Sequence, residues 1–324
     1  MRRQSRKRRF APVLYARVMK SKFNLFISAV VVLSAVLTVV AQTRRLTPAD
    51  ILRVATVSDA QISPTGEWIV YSVSAVEGEQ TTSSLWIVRV GERLSPAPPT
   101  SRQPEQRRNW EALRYVGRPL LPPAWNASNP RWSPDGKNIA FLVTREGQRG
   151  IWTTGPTRAV PRFITAVRET NFFITYAGEP FAWSPDSRMI AYVSASEEEI
   201  DKDEDPRVID RIQYKSRTSL SDRLRTHVWI TDVDAPQPRQ LTSGMFYDHA
   251  LSFNPRGDEI TFLSNHETDP DANNNSDIFA ANLQGQIRQI TATVGCEYEP
   301  AWSPDGKWIA SGSADYTVQI WQAI

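Results

Sequence analysis

The chain has 324 residues, 40% hydrophobic and 23% charged, which leaves room for one large or two ordinary domains and excludes a disordered chain. Three histidines and one cysteine leave little for imidazole chemistry and allow no intrachain disulfide. The formal charge of +3 divides unevenly: residues 1–41 hold nine Lys and Arg and no acid, so residues 42–324 carry −6. An acidic body with scattered basic residues argues against nucleic-acid binding.

The basic leader runs into "LFISAVVVLSAVLTVVA" at residues 25–41, seventeen residues without a charge. A basic flank, an apolar run and small residues before Gln42 are the order of a secretory signal peptide. As a helix the run would span roughly 26 Å, the short limit for crossing a bilayer. Residues 1–41 are therefore expected to be a signal peptide or an N-terminal membrane anchor attached through residues 23–41. Either reading sends the body to the periplasm or the extracellular space. Translation from Met19 would give the leader ordinary proportions. Residues 42–61 read as a short helix and linker, with Thr47 as N-cap, Pro48 at the first helical position and Asp50 in the first turn.

From residue 62 onward one unit recurs. Its copies are "ISPTGEWIVYSVS" (62–74), "WSPDGKNIAFLVT" (132–144), "WSPDSRMIAYVSA" (183–195), "FNPRGDEITFLSN" (253–265) and "WSPDGKWIASGSA" (302–314). The turn prolines stand at 64, 134, 185, 255 and 304. A period near 50 with two insertions near 20 accounts for the spacing, and periods of that size mean stacked supersecondary units. Ser-Pro-Asp-Gly reads as a type I turn, with Pro at its second position and Gly at its fourth. Thr65 and Ser187 depart from the pattern, and both are expected to fit because a type I turn asks for no positive φ there. An aromatic ends the strand before each of the last four turns, and an alternating strand follows every one. A second strand comes next, and "PRFIT" (161–165), "PRQLT" (238–242) and "IRQIT" (287–291) close three of the units. Turn, strand, turn, strand and tail make a four-stranded antiparallel blade. The fold class expected is all-β: a β-propeller over residues 62–324, about five blades and incomplete, its terminal blades leaving strand edges unpaired.

The insertions are less regular. Residues 94–130 are Pro-rich and read as an extended loop. "EEEIDKDED" (197–205) is a solvated acidic run, and "RVIDRIQYKSR" (207–217) resumes a strand.

Three stretches carry a resemblance: "LTPADILRVATVSDAQISPTGEWIVYSVS" (46–74), "RVIDRIQYKSR" before "HVWITDVDAPQPRQLTSG", and "NHETDPDANNNSDIFAANLQGQIRQIT". They resemble the N-terminal propeller of the prolyl oligopeptidase (S9) family of serine peptidases, in its acylaminoacyl-peptidase and dipeptidyl-peptidase branch. The repeat turns are also similar to TolB and WD40-like propellers, although Gly-His and Trp-Asp, the WD40 dipeptides, are not found. The resemblance covers residues 46 to about 310. Where the family continues with an Asp-Gly turn after "QYK", this chain has Ser216-Arg217-Thr218.

The resemblance implies a propeller that gates and binds substrate for peptide hydrolysis carried by an α/β-hydrolase domain, with a peptide or a protein as partner. The alternative is a periplasmic TolB- or WD40-like interaction module. The family's nucleophile sits in Gly-x-Ser-x-Gly; the sequence holds no such motif, so no catalytic residue is assigned. No metal or cofactor is implied: His227, His249 and His266 share no ligand-like spacing, and "DPDANNNSD" (269–277) lacks the EF-hand Gly and Glu. The histidines are expected to stand apart at surfaces or strand ends. Propeller glutamates of the dipeptidyl-peptidase branch hold a substrate's amino terminus, and Glu197, Glu198 and Glu199 are the candidates for that role here.

Overall fold

The structure is a computed structural model that describes residues 47, 50, 54–77, 80–90, 117–157, 160–171, 178–196, 214–216, 219–222, 224–270, 272–273 and 275–323. The leader and Glu197, Glu198 and Glu199 lie outside the described residues. The chain forms two units, Met1–Val54 and Ala55–Ile324. In the first, the Thr47 N–H and Oγ1 both donate to Asp50 Oδ2, at 2.9 and 2.6 Å, and the Asp50 N–H donates back to the Thr47 carbonyl. This is the reciprocal bonding that starts a helix.

The second unit is a series of antiparallel sheets taken up in chain order. Blade 1 holds β1 (Thr56–Ile62), β2 (Trp68–Glu77), β3 (Gln80–Arg89) and β4 (Arg118–Pro119). Blade 2 holds β5 (Ser128–Trp132), β6 (Ile139–Arg145), β7 (Gln148–Thr154) and β8 (Arg162–Ala166). Blade 3 begins with β9 (Phe181–Trp183) and β10 (Met189–Ala195). A small hairpin of β11 (Lys215–Ser216) and β12 (Ser219–Leu220) interrupts it before β13 (Thr226–Asp232) and β14 (Arg239–Gln240). Blade 4 holds β15 (His249–Phe253), β16 (Glu259–Ser264), β17 (Asp277–Asn282) and β18 (Ile287–Gln289). Blade 5 has three strands among the described residues: β19 (Glu297–Trp302), β20 (Trp308–Ser313) and β21 (Val318–Gln322).

The fold class read from the sequence holds, with corrections at its edges. Residues 56–61, expected as part of a leading helix and linker, belong to a strand that runs on to Ile62. The stretch expected as an extended loop over 94–130 contains β4, a 3-10 turn at Pro123–Trp125 and the start of β5. Blade 1 thus has the fourth strand that no tail motif announced.

Side-chain hydroxyls build the recurring turn. In blade 2 the Ser133 Oγ donates to Asp135 Oδ1 at 2.6 Å and accepts the Asn138 N–H at 2.9 Å. The same Asp135 oxygen accepts the Lys137 N–H. Ser184, Asp186 and Arg188 repeat this in blade 3, and Ser303, Asp305 and Lys307 in blade 5. In blade 4 Asn254 takes the serine's place, with its Oδ1 accepting from the Asp258 and Glu259 N–H groups.

The fourth residue of the turn is where the sequence reading fails. Gly66, Gly136, Gly257 and Gly306 all have φ near +70°, and Ser187 has φ 63°. The turn passes through a left-handed residue into the next strand, which is a conformational reason for glycine there that a type I turn does not supply. Ser187 adopts the conformation with a side chain, and its Oγ accepts the Asp135 N–H of the preceding blade's turn at 3.0 Å.

Blades stack through the faces of their sheets. The first strands are neighbours in the order β1, β5, β9, β15, β19, so they line the inside of the array. Apolar clusters fill each junction. Leu85 and Ile87 meet Trp132 and Phe141 between blades 1 and 2; Ile151 and Ile164 meet Trp183 and Tyr192 between blades 2 and 3. Val228 and Leu241 meet Phe253 and Phe262 between blades 3 and 4; Ile278 and Leu263 meet Ile309 and Trp302 between blades 4 and 5. Among the described residues no such cluster joins blade 5 to blade 1.

Candidate functional site

The first strands enclose a cavity of about 800 Å³, lined from every blade: Gln61, Arg131, Glu179, Phe181, Ser252, Phe253, Glu299 and Trp302 are among its walls. Backbone shape decides which side chains reach it. Five residues before each turn proline the strand is kinked: Asp59, Asn129, Ala250 and Glu299 have φ between 46° and 56°. The strand pairing skips a residue at each of these points, which is the mark of a β-bulge. Blade 3 has Pro180 at that position, whose ring forbids positive φ, and its first strand is short and regular.

Tryptophans close the wall from behind. The Trp132 indole N–H donates to the Gln61 carbonyl and that of Trp183 to the Arg131 carbonyl, both at 3.1 Å. The Trp302 N–H reaches Thr261 Oγ1 at 3.1 Å, which itself donates to the Ser252 carbonyl. Each indole therefore ties its own blade to the one before. The sequence shows the aromatic position; the reach of the indole N–H is a property of the stack.

Charge in the cavity is organised by Arg131. Its Nη1 donates to both Asp59 oxygens at 2.7 and 2.8 Å, and its Nε and Nη2 donate to the two Glu179 oxygens at 2.6 and 2.7 Å. Asp59, Arg131 and Glu179 come from blades 1 and 2 and the approach to blade 3, so one guanidinium straps three neighbours. Burial works against its charge, and the two carboxylates overcome it, so the Arg131 pKa is raised. Glu299 enters from blade 5 and is exposed. With Arg131 offset by Asp59, the surplus charge on the wall is the two glutamates: this cavity favours a cationic group. No repeated motif marks Arg131, Glu179 or Glu299: Arg131 and Glu299 stand beside bulges that a hydrophobic pattern does not show, and Glu179 lies just before β9, outside any strand.

His227 and His249 stand at strand ends, as expected, at the starts of β13 and β15. The three lie at the end of the blades away from the turns, and the two at strand ends are buried. His227 Nδ1 is 3.5 Å from Asp248 Oδ2, a carboxylate that also accepts the Thr242 hydroxyl. His266 stacks on Phe246 at 3.7 Å and leans on Phe279. Burial lowers the pKa of both His249 and His266. Among the described residues no three His, Cys, Asp or Glu are placed to hold a metal ion. Cys296 is half-buried. The described part of the Asn-rich loop is held by Asn265 Nδ2 donating to Asn273 Oδ1 within it and by Asn275 Nδ2 donating to the Thr293 carbonyl beyond β18.

Radially stacked antiparallel sheets around a lined cavity define a β-propeller. Known proteins narrow the class further. Residues 285–322 match the family described as WD domain, G-beta repeat. The curated relatives are peptidases: the chain is 24% identical over 289 residues to Dipeptidyl-peptidase 5 of Porphyromonas endodontalis, covering 83% of this chain and 38% of that protein. It is 25% identical over 268 residues to the uncharacterized peptidase YuxL of Bacillus subtilis, covering 82% and 30%. The chain thus spans about a third of the length of the curated relatives it matches. Among solved structures, an acylaminoacyl peptidase of Pyrococcus horikoshii superposes with TM-score 0.56 at 17% identity, covering 85% of this chain and 40% of that one. A TolB protein of Agrobacterium tumefaciens superposes with TM-score 0.50 at 16% identity, covering 82% and 76%. These two likenesses are likenesses of fold.

Proposed function

We propose that this chain is the exported propeller portion of an S9-type serine peptidase, binding and gating peptides for hydrolysis by an α/β-hydrolase domain. One observation carries the reading: similarity to two peptidases runs through four-fifths of the chain. The cavity suits the task. Its aromatic and proline walls offer apolar contact to an extended peptide, and Glu179 and Glu299 offer charge-assisted bonds to an ammonium or guanidinium group. The basic, then apolar, order of residues 1–41 supports export. Among the described residues no helix is long and apolar enough to cross a membrane.

Fluorescence anisotropy with short labelled peptides tests the proposal. Saturable binding by the purified chain is expected, weakened about ten-fold when Glu179→Gln and Glu299→Gln are combined, with the peptide recovered intact. No binding, or binding indifferent to that pair, overturns the peptide-binding role. Cleavage of the peptide, blocked by a serine-directed inhibitor, overturns the division of labour.

A further inference from the structure

Two junctions between blades share a pair of polar positions and fill them differently. The first position lies seven residues before a turn proline: Asp248 before Pro255 and Glu297 before Pro304. The second lies at the start of a third strand, opposite a serine. His227 pairs there with Ser194 in blade 3, and Asp277 with Ser264 in blade 4. Between blades 3 and 4 the pair is a histidine and a carboxylate, with His227 Nδ1 3.5 Å from Asp248 Oδ2. Between blades 4 and 5 it is two carboxylates, and both are buried: Glu297 is 0% exposed and Asp277 8%.

Neutral groups surround the two acids. Asp277 Oδ1 accepts the Thr291 hydroxyl and the Thr293 N–H, both at 3.0 Å. Glu297 Oε1 stands 3.1 Å from the Thr293 hydroxyl, and Oε2 accepts the Ser311 hydroxyl. Burial raises the Glu297 pKa against the pull of those hydroxyls, and the charges of Asp277 and Asp315 add to the rise. The Thr293 carbonyl accepts Asn275 Nδ2 at 2.9 Å, so three oxygen-bearing side chains meet around one residue. Asn275 Nδ2 also donates to Glu267 Oε1 at 3.2 Å. These two bonds fix the amide, because exchanging its nitrogen and oxygen would set oxygen against oxygen. Its Oδ1 is buried and receives no hydrogen bond. Ser264 Oγ is a second buried oxygen without a bond. Ser264 lies directly opposite Asp277, so both side chains leave the sheet on the same side.

We propose that the junction of blades 4 and 5 binds a calcium ion, with Asp277, Glu297 and the Asn275 carboxamide oxygen among its ligands. Two buried like charges call for a positive partner. A proton shared between the acids would relieve their repulsion and leave the Asn275 oxygen bare, whereas a metal ion answers both. Every donor is an oxygen and two are anionic, the set that suits calcium; zinc is drawn to nitrogen and sulfur. The stretch 269–277, which lacks the closing glutamate of an EF-hand, meets one supplied by the next blade. The ion ties blade 4 to blade 5.

Terbium luminescence on the full chain tests this, because Trp321 is placed to sensitise it. Its indole N–H donates to Ser311 Oγ at 2.9 Å, and that hydroxyl bonds Glu297. One saturable terbium site per chain is expected, displaced by calcium, and calcium should raise the melting temperature of chelator-stripped protein. Glu297→Gln keeps the shape and removes a charge. It should weaken terbium and calcium binding about ten-fold or more, with circular dichroism unchanged. If that variant fails to fold, Asn275→Ala leaves both carboxylates in place and should weaken calcium binding several-fold. A chain without a saturable terbium signal, whose melting is indifferent to calcium, overturns the proposal in favour of a shared proton. Binding that neither substitution weakens overturns it too, since the ion then sits elsewhere.

Discussion

At the scale of single residues, the turn glycines show how much a left-handed conformation costs compared with how much a crowded one does. Gly66 has φ 71° and open space where a Cβ would stand, whereas Gly257 has φ 76° and Pro185 Cδ at 3.2 Å from that position. Gly66→Ala is therefore expected to lose about 1 kcal/mol from the dihedral alone. Gly257→Ala adds a contact with a ring that cannot easily give way, and about 2 kcal/mol is expected. Urea melts of the two variants check the ordering. Ser187→Gly belongs with them: relief of a left-handed serine, worth about 1 kcal/mol, is set against loss of the bond to the Asp135 N–H, worth a similar amount. A change in midpoint near zero is expected. These differences come from what each glycine faces, and the local sequence of the turn is almost the same in all of them.

At the scale of elements, the tails show where sequence reading succeeds and where it stops. The Arg-x-(Ile/Leu)-Thr pattern announces three fourth strands because it states both an alternation and a chemistry. Ile164 and Leu241 point into the cores, and Thr242 Oγ1 accepts the buried Val228 N–H at 2.8 Å, as Thr291 Oγ1 accepts that of Ile278. Thr242→Val keeps the shape and strands that N–H, so a loss of about 1–3 kcal/mol is expected, read from thermal melts beside an Ile164→Val control that costs about 1 kcal/mol. The fourth strand of blade 1 escaped because Arg118-Pro119 is only two residues long and lies in a Pro-rich stretch. The cavity escaped for a different reason. In four of the five blades its residues are placed by bulges, and a bulge inserts one residue without altering composition or period. The turns, strands and blade order were legible because they repeat; Arg131 was not, because only one blade has it.

At the scale of the whole molecule, the buried histidines predict a response to acid. Burial holds His249 and His266 below their ordinary 6.5 in the folded state, so below that pH the unfolded chain binds protons that the folded chain refuses. Stability should then fall as pH drops from 7.5 to 5.5. The turn carboxylates act lower down. The Ser184 hydroxyl holds Asp186 below its ordinary 3.8, outweighing partial burial, and the Ser303 hydroxyl does the same for exposed Asp305. Their contribution is present above that value and is lost only as pH falls through the lowered ones. Melting temperatures across pH 7.5 to 5.5 check the first effect, and His249→Gln should flatten the slope. A slope unchanged in that variant would mean that His249 does not carry it.

The indole bonds have a direction. Trp132 and Trp183 each donate to a carbonyl some 50 to 70 residues earlier in the chain, never to one still to come. A nascent polypeptide leaving the ribosome, or emerging amino end first from a translocation pore, always offers the acceptor before the donor arrives. Each new sheet can therefore be fastened to a finished neighbour, and growth of the folded array can keep pace with delivery of the chain.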